Sequence, residues 1–65
     1  MKLSLGNQIR ANRLRLDMTQ EQLAEKFGTS PQAISRWENG GSFPDIGVLE
    51  ELANILDLKI QDLQT

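Results

Sequence analysis

The chain has 65 residues, no cysteine, no histidine and a formal net charge of −2. That length holds one small core and no second domain, near the lower limit for folding alone, and no disulfide or cysteine-based zinc site can reinforce it. No apolar run approaches a membrane span or a signal-peptide core, and no histidine, glycine-rich phosphate loop or metal-ligand spacing offers an active site, so the composition points away from an enzyme, a metal, a cofactor and a membrane partner.

Five helices are predicted, with no repeats and no low-complexity segment. The first covers residues 5–16, capped by Ser4, with Leu5, Ile9 and Leu16 as its apolar stripe. The second opens on a T-x-x-Q capping box, Thr19 with Gln22, and Met18 and Leu23 are spaced as a hydrophobic staple. Leu23, Ala24 and Phe27 then share one face, while Glu21, Glu25 and Lys26 share the other. Gly28 ends it, because glycine accepts the left-handed conformation of a sharp helix terminus.

The third helix restarts almost at once, with Ser30 as N-cap and Pro31 in the first helical position. At 100° per residue, Ser35, Arg36 and Asn39 stay within about 60° of Gln32, whereas Ala33, Ile34 and Trp37 lie about 100–200° away. One whole face is therefore polar. Gln and Arg are the side chains that read base edges with two hydrogen bonds, Gln on adenine and Arg on guanine. On an arbitrary short helix a polar face is most often only solvated. Here small Ala24 permits a close crossing, Gly28 makes the turn, and Ile34 and Trp37 pack back on the preceding helix. That is the layout in which the second helix of the pair enters the major groove and the first crosses the backbone. Trp37 could stack on a base, but its angular position beside Ile34 favours the core.

Residues 39–44 read as a loop on their glycine and proline content. The fourth helix follows Asp45, a good cap, and buries Ile46, Leu49, Leu52, Ala53 and Leu56 at helical spacing. A short fifth helix over residues 60–64 would close the core with Ile60 and Leu63, its end frayed because Lys59 is a poor cap.

With these residues in register, the segment from Gln20 to Asn39 resembles the helix-turn-helix of the lambda-repressor/Cro-like family, the XRE-type regulators. The residues carrying the resemblance are Gln20, Leu23-Ala24, Gly28, Ser30, Ala33-Ile34-Ser35, Trp37-Glu38 and Gly40. It extends to Ile9 and Arg13 before them, and to Ser42, Pro44-Asp45, Leu49, Leu52-Ala53 and Leu63 after them. It implies an all-α bundle of four to five helices, one domain over residues 1–65, standing alone or as the N-terminal part of a longer regulator. The implied function is sequence-specific binding of double-stranded DNA by a cytoplasmic prokaryotic or phage-type transcriptional regulator. A single module buries roughly 600–1,000 Å² and binds weakly. The resemblance therefore implies a homodimer on a palindromic operator, with recognition helices about 34 Å apart. Only the fifth helix, with Ile60 and Leu63, and Val48 offer apolar groups for such pairing.

Carried over residue by residue, the resemblance assigns base reading to Ser30, Gln32, Ser35 and Arg36, with Gln32 foremost. Ser35 serves equally well as a mere spacer of the groove. Phosphate contacts fall to Arg13, Thr19, Gln20, Asn39, Gly40, Gly41 and Ser42, through side chains and through the N–H groups of the loop after the third helix. The resemblance also implies a partly buried ion pair between Arg13 and Glu38. Three positions depart from the family pattern. Pro31 replaces a residue that is often polar, Gly41 stands where a lysine is common, and Asp17 occupies a helix end often held by glycine, which predicts a strained or differently shaped turn.

The acidic balance is uneven along the chain. Residues 1–36 carry Lys2, Arg10, Arg13, Arg15, Lys26 and Arg36 against Asp17, Glu21 and Glu25, a net of +3. Residues 37–65 carry Lys59 against Glu38, Asp45, Glu50, Glu51, Asp57 and Asp62, a net of −5. A DNA-facing side can thus be positive while the far side is acidic. The rival reading is a protein-interaction module of the same fold, antitoxin-type or anti-repressor-binding, supported by Glu50 and Glu51 on the fourth helix.

Overall fold

Four side chains start the four helices of the computed structural model, which describes residues 4–58. Ser4 Oγ accepts the Asn7 N–H (3.2 Å) and opens α1, Leu5–Arg15. Thr19 Oγ1 accepts the Gln22 N–H (3.0 Å), Gln22 Oε1 accepts the Thr19 N–H (2.9 Å), and this reciprocal box opens α2, Gln20–Phe27. Ser30 Oγ accepts the Ala33 N–H (3.2 Å) ahead of α3, Pro31–Asn39. Asp45 Oδ1 accepts the Val48 N–H (3.0 Å) ahead of α4, Ile46–Leu56. Each bond satisfies one of the donors that a helix start leaves without a carbonyl. The fold is all-α, with no strand among the described residues.

The helix ends share one device. Just past each helix stands a residue of positive φ: Asp17 (57°), Gly28 (62°), Gly40 (80°) and Asp57 (57°). The following N–H reaches back to a carbonyl five residues earlier: Met18 to Arg13 (3.0 Å), Thr29 to Ala24 (3.1 Å), Gly41 to Arg36 (2.9 Å) and Leu58 to Ala53 (3.1 Å). This is the left-handed termination that glycine favours. Asp17 therefore adopts the same shape as the two glycines, and the turn it makes is not a different one. Aspartate is among the few other residues that visit this region, at some steric cost.

The core holds Ile9 of α1, Leu23 and Ala24 of α2, Ile34 and Trp37 of α3, Leu52 and Leu56 of α4, and Leu58 beyond it. Two expected members are not in it. Leu16 is 42% exposed because it lies at the cap of α1, where the chain reverses. Ile46 is 76% exposed. It is the first residue of α4, and a helical side chain leans toward the N-terminus, here off the end of the helix. Leu5, Leu49 and Ala53 pack half-buried against the core. Leu58, which the helical spacing did not single out, is brought inside by the turn at Asp57. The expected fifth helix at 60–64, with Ile60 and Leu63, lies outside the described residues.

α1 packs mainly on α3 and α4, and α2 packs on α3. The tightest approach is at Gly6. A Cβ there would stand 2.5 Å from the Glu38 carbonyl oxygen and 2.6 Å from that of Trp37. Only a residue without a side chain lets α1 rest directly on the backbone at the end of α3.

Gly6→Ala should destabilise the domain by about 1–3 kcal/mol through overpacking. Helix propensity alone would give a gain of about 1 kcal/mol, so the sign of the change in urea unfolding decides whether the contact is as tight as described. Asp17→Gly should raise stability by about 0.5–1 kcal/mol by relieving the left-handed aspartate. A lowered thermal midpoint would show that the Asp17 side chain contributes something the backbone geometry does not.

Candidate nucleic-acid interface

The turn between α2 and α3 is three residues, Gly28 to Ser30, and it sets the two helices as a pair whose inner faces are Leu23, Ala24, Ile34 and Trp37. Trp37 is 9% exposed and belongs to the core. The opposite side of α3 is open: Gln32, Arg36 and Asn39 are exposed, and Ser35 is half-buried. The structure thus brings the polar residues of α3 onto one face.

Their hydrogen bonds differ. Gln32 and Arg36 make none to the described residues, so both side chains are available. Ser35 Oγ accepts from Asn39 Nδ2 at 3.4 Å, which ties those two side chains loosely to each other. Ser30 is exposed, but its Oγ already accepts the Ala33 N–H as the cap of α3. Pro31 occupies the first position of the helix and brings no side-chain donor or acceptor.

The residues expected at phosphates divide more sharply. Arg13 lies inward, its side chain 9% exposed. Its Nε donates to Glu38 Oε2 (2.7 Å), its Nη2 to Glu38 Oε1 (3.2 Å) and its Nη1 to the Met18 carbonyl (2.7 Å). The ion pair with Glu38 is present, and Arg13 also braces the α1–α2 turn. Three of its five N–H groups serve protein acceptors, so a phosphate contact by this guanidinium would use the one N–H that Nη1 and Nη2 each have left. The Gly40 and Gly41 N–H groups are likewise taken, by the Trp37 (3.3 Å) and Arg36 (2.9 Å) carbonyls. They terminate α3, and the next N–H groups of the loop, those of Ser42 and Phe43, donate to no backbone carbonyl among the described residues. Thr19 is exposed, with its hydroxyl and N–H engaged in the capping box.

Gln20 makes a contact that the sequence reading did not foresee. It is half-buried, and its Nε2 donates to Glu38 Oε1 at 3.1 Å. Glu38 therefore receives hydrogen bonds from α1 and α2 while sitting on α3. Nothing local in the sequence signals this, because the two residues stand 18 positions apart on different helices. The Phe43 side chain, in the loop after α3, is 68% exposed.

No helix among the described residues is long and apolar enough to cross a membrane, and no group of three or more acidic, histidine or cysteine side chains there could hold a metal ion.

The family model for the helix-turn-helix matches residues 9–63. The HTH-type transcriptional activator BcrR of Enterococcus faecalis is 38% identical over 47 residues, covering 72% of this chain and 23% of that protein. The vegetative-specific protein H7 of Dictyostelium discoideum is 34% identical over 58 residues, covering 89% of this chain and 56% of that protein. The chain thus spans about a quarter and about half of the lengths of these two relatives. No solved structure matches it. With the match running through all four helices, the chain belongs to the XRE-type helix-turn-helix family of DNA-binding transcription regulators.

Proposed function

We propose that this domain binds double-stranded DNA sequence-specifically, with α3 in the major groove. The observation that carries the reading is the exposed, unengaged pair Gln32 and Arg36 on a helix whose other face is fixed in the core. Gln32 serves an adenine and Arg36 a guanine, each with two hydrogen bonds, and Ser30 and Ser35 make single contacts beside them. Gln20, Thr19, Asn39 and Ser42 hold the phosphates on either side and so fix the register in which the bases are read. One domain makes few base contacts, so a homodimer on a palindromic operator supplies useful affinity. The match to a transcriptional activator supports a regulatory role.

Selection of bound duplexes from random DNA at low salt should enrich a palindromic site. Gln32→Ala should relax one position per half-site and Arg36→Ala a different one, each losing about 1–3 kcal/mol of discrimination there. A folded protein that enriches nothing, even when fused to an artificial dimeriser, would turn the assignment toward a protein partner on α4.

A further inference from the structure

We propose that Glu38 is a positioning residue for DNA binding: its carboxylate locks the orientation of the Gln20 carboxamide and so presents the free Gln20 N–H to a phosphate. This rests on the reading of Gln20 as a backbone contact and adds how that contact is prepared.

The geometry leaves the amide little choice. The Glu38 side chain is 4% exposed, and as the anion of an ion pair it only accepts hydrogen bonds. Oε2 takes Arg13 Nε at 2.7 Å, and Oε1 takes Arg13 Nη2 at 3.2 Å together with Gln20 Nε2 at 3.1 Å. A carboxamide has a donor end and an acceptor end. The acceptor end cannot face a carboxylate, so Gln20 is held with Nε2 inward. One Nε2–H is consumed and the second remains for an anion. Gln20 is also the first residue of α2, where the backbone N–H groups and the helix dipole already favour negative charge. A glutamine free to rotate would offer its oxygen to the phosphate as often as its N–H, and would lose rotamer freedom on binding.

A second consequence concerns register. Glu38 stands on α3 one residue before its end and two beyond Arg36. The group that orients the phosphate contact is thus carried by the helix that reads bases. A shift of α3 in the groove shifts the Gln20 amide with it, so the backbone grip and the base contacts are satisfied together or not at all.

Removing Glu38 alone would strand the buried Arg13 and unfold the domain. The test replaces the pair as a unit, Arg13→Met with Glu38→Leu, a change that buried ion pairs often tolerate. Gln20→Met is then made on both backgrounds, and binding is measured to the duplex enriched by the wild type. On the native background Gln20→Met should weaken binding about tenfold. On the apolar-pair background it should cost less than about twofold, because an unanchored Gln20 has already lost its advantage. Equal losses on both backgrounds would overturn the proposal, since Gln20 would then act without Glu38. No loss on the native background would also overturn it, while leaving the base-reading role of Gln32 and Arg36 standing. If the apolar pair fails to fold, hydrogen exchange of side-chain amides in the free wild-type protein decides. One Gln20 Nε2 proton should exchange more slowly than those of exposed Gln32, and equal rates would overturn the proposal.

Discussion

The arrangement depends on one buried carboxylate. Glu38 sits where α1, α2 and α3 meet, and its two oxygens receive three hydrogen bonds, two from Arg13 and one from Gln20. Such a group adds little net stability, because the desolvation of two charges offsets most of their attraction. Its effect is on geometry. An apolar core tolerates small rotations of a helix about its axis, since many packings of Leu and Ile have similar energy. A carboxylate that must face a guanidinium on one helix and an amide on another admits one rotation of α3. The exposed face of α3 is thereby fixed in direction by a contact on its hidden side.

The backbone reinforces that choice. Gly6 brings α1 against the carbonyls of Trp37 and Glu38, so the C-terminal end of α3 is held by a contact with no side-chain slack. Arg13, two turns further along α1, reaches the Glu38 side chain and, through Nη1, the Met18 carbonyl. α1 therefore grips α3 at two levels and the start of α2 at one. For a helix proposed to match the spacing of base edges, this rigidity matters more than extra stability. A displacement of about 1 Å is comparable to the tolerance of a hydrogen bond, and two-bond contacts fail first.

What the sequence disclosed follows from the range of its rules. Caps and left-handed ends are local, so Thr19 with Gln22, Ser30 with Pro31, Asp45, Gly28 and Gly40 could be read from neighbours three or four positions apart. The burial of Ile34 and Trp37 opposite Gln32 and Arg36 follows from helical periodicity alone. The same periodicity misplaced Leu16 and Ile46, because it assumes a helix with neighbours along its whole length, and these residues stand at helix ends. Gly6 was invisible for a different reason: a glycine in a helical pattern looks merely unfavourable until the partner helix is known. The Gln20–Glu38 bond and the engaged N–H of Gly41 were hidden likewise. The first is a tertiary contact, and the second belongs to the end of α3 before it can belong to any ligand.

The ion pair also alters the electrostatic argument for the proposed DNA contact. With Arg13 neutralised inside, the exposed charges between Ser4 and Arg36 are Arg10, Arg15, Lys26 and Arg36 against Asp17, Glu21 and Glu25. Pairing with Glu38 takes one unit from the positive excess of residues 1–36, and α4 adds exposed Glu50 and Glu51. Long-range attraction to a polyanion is correspondingly weak, and few counterions are released on binding. On the proposed reading, binding rests largely on short-range hydrogen bonds from neutral groups such as Gln20, Gln32 and Asn39. Neutral donors gain strength only when held in place beforehand, because each one that must be ordered on contact gives back part of what it contributes. On that reading a weakly charged binder of DNA needs more internal bracing than a basic one, and the buried Glu38 network is the bracing this fold contains.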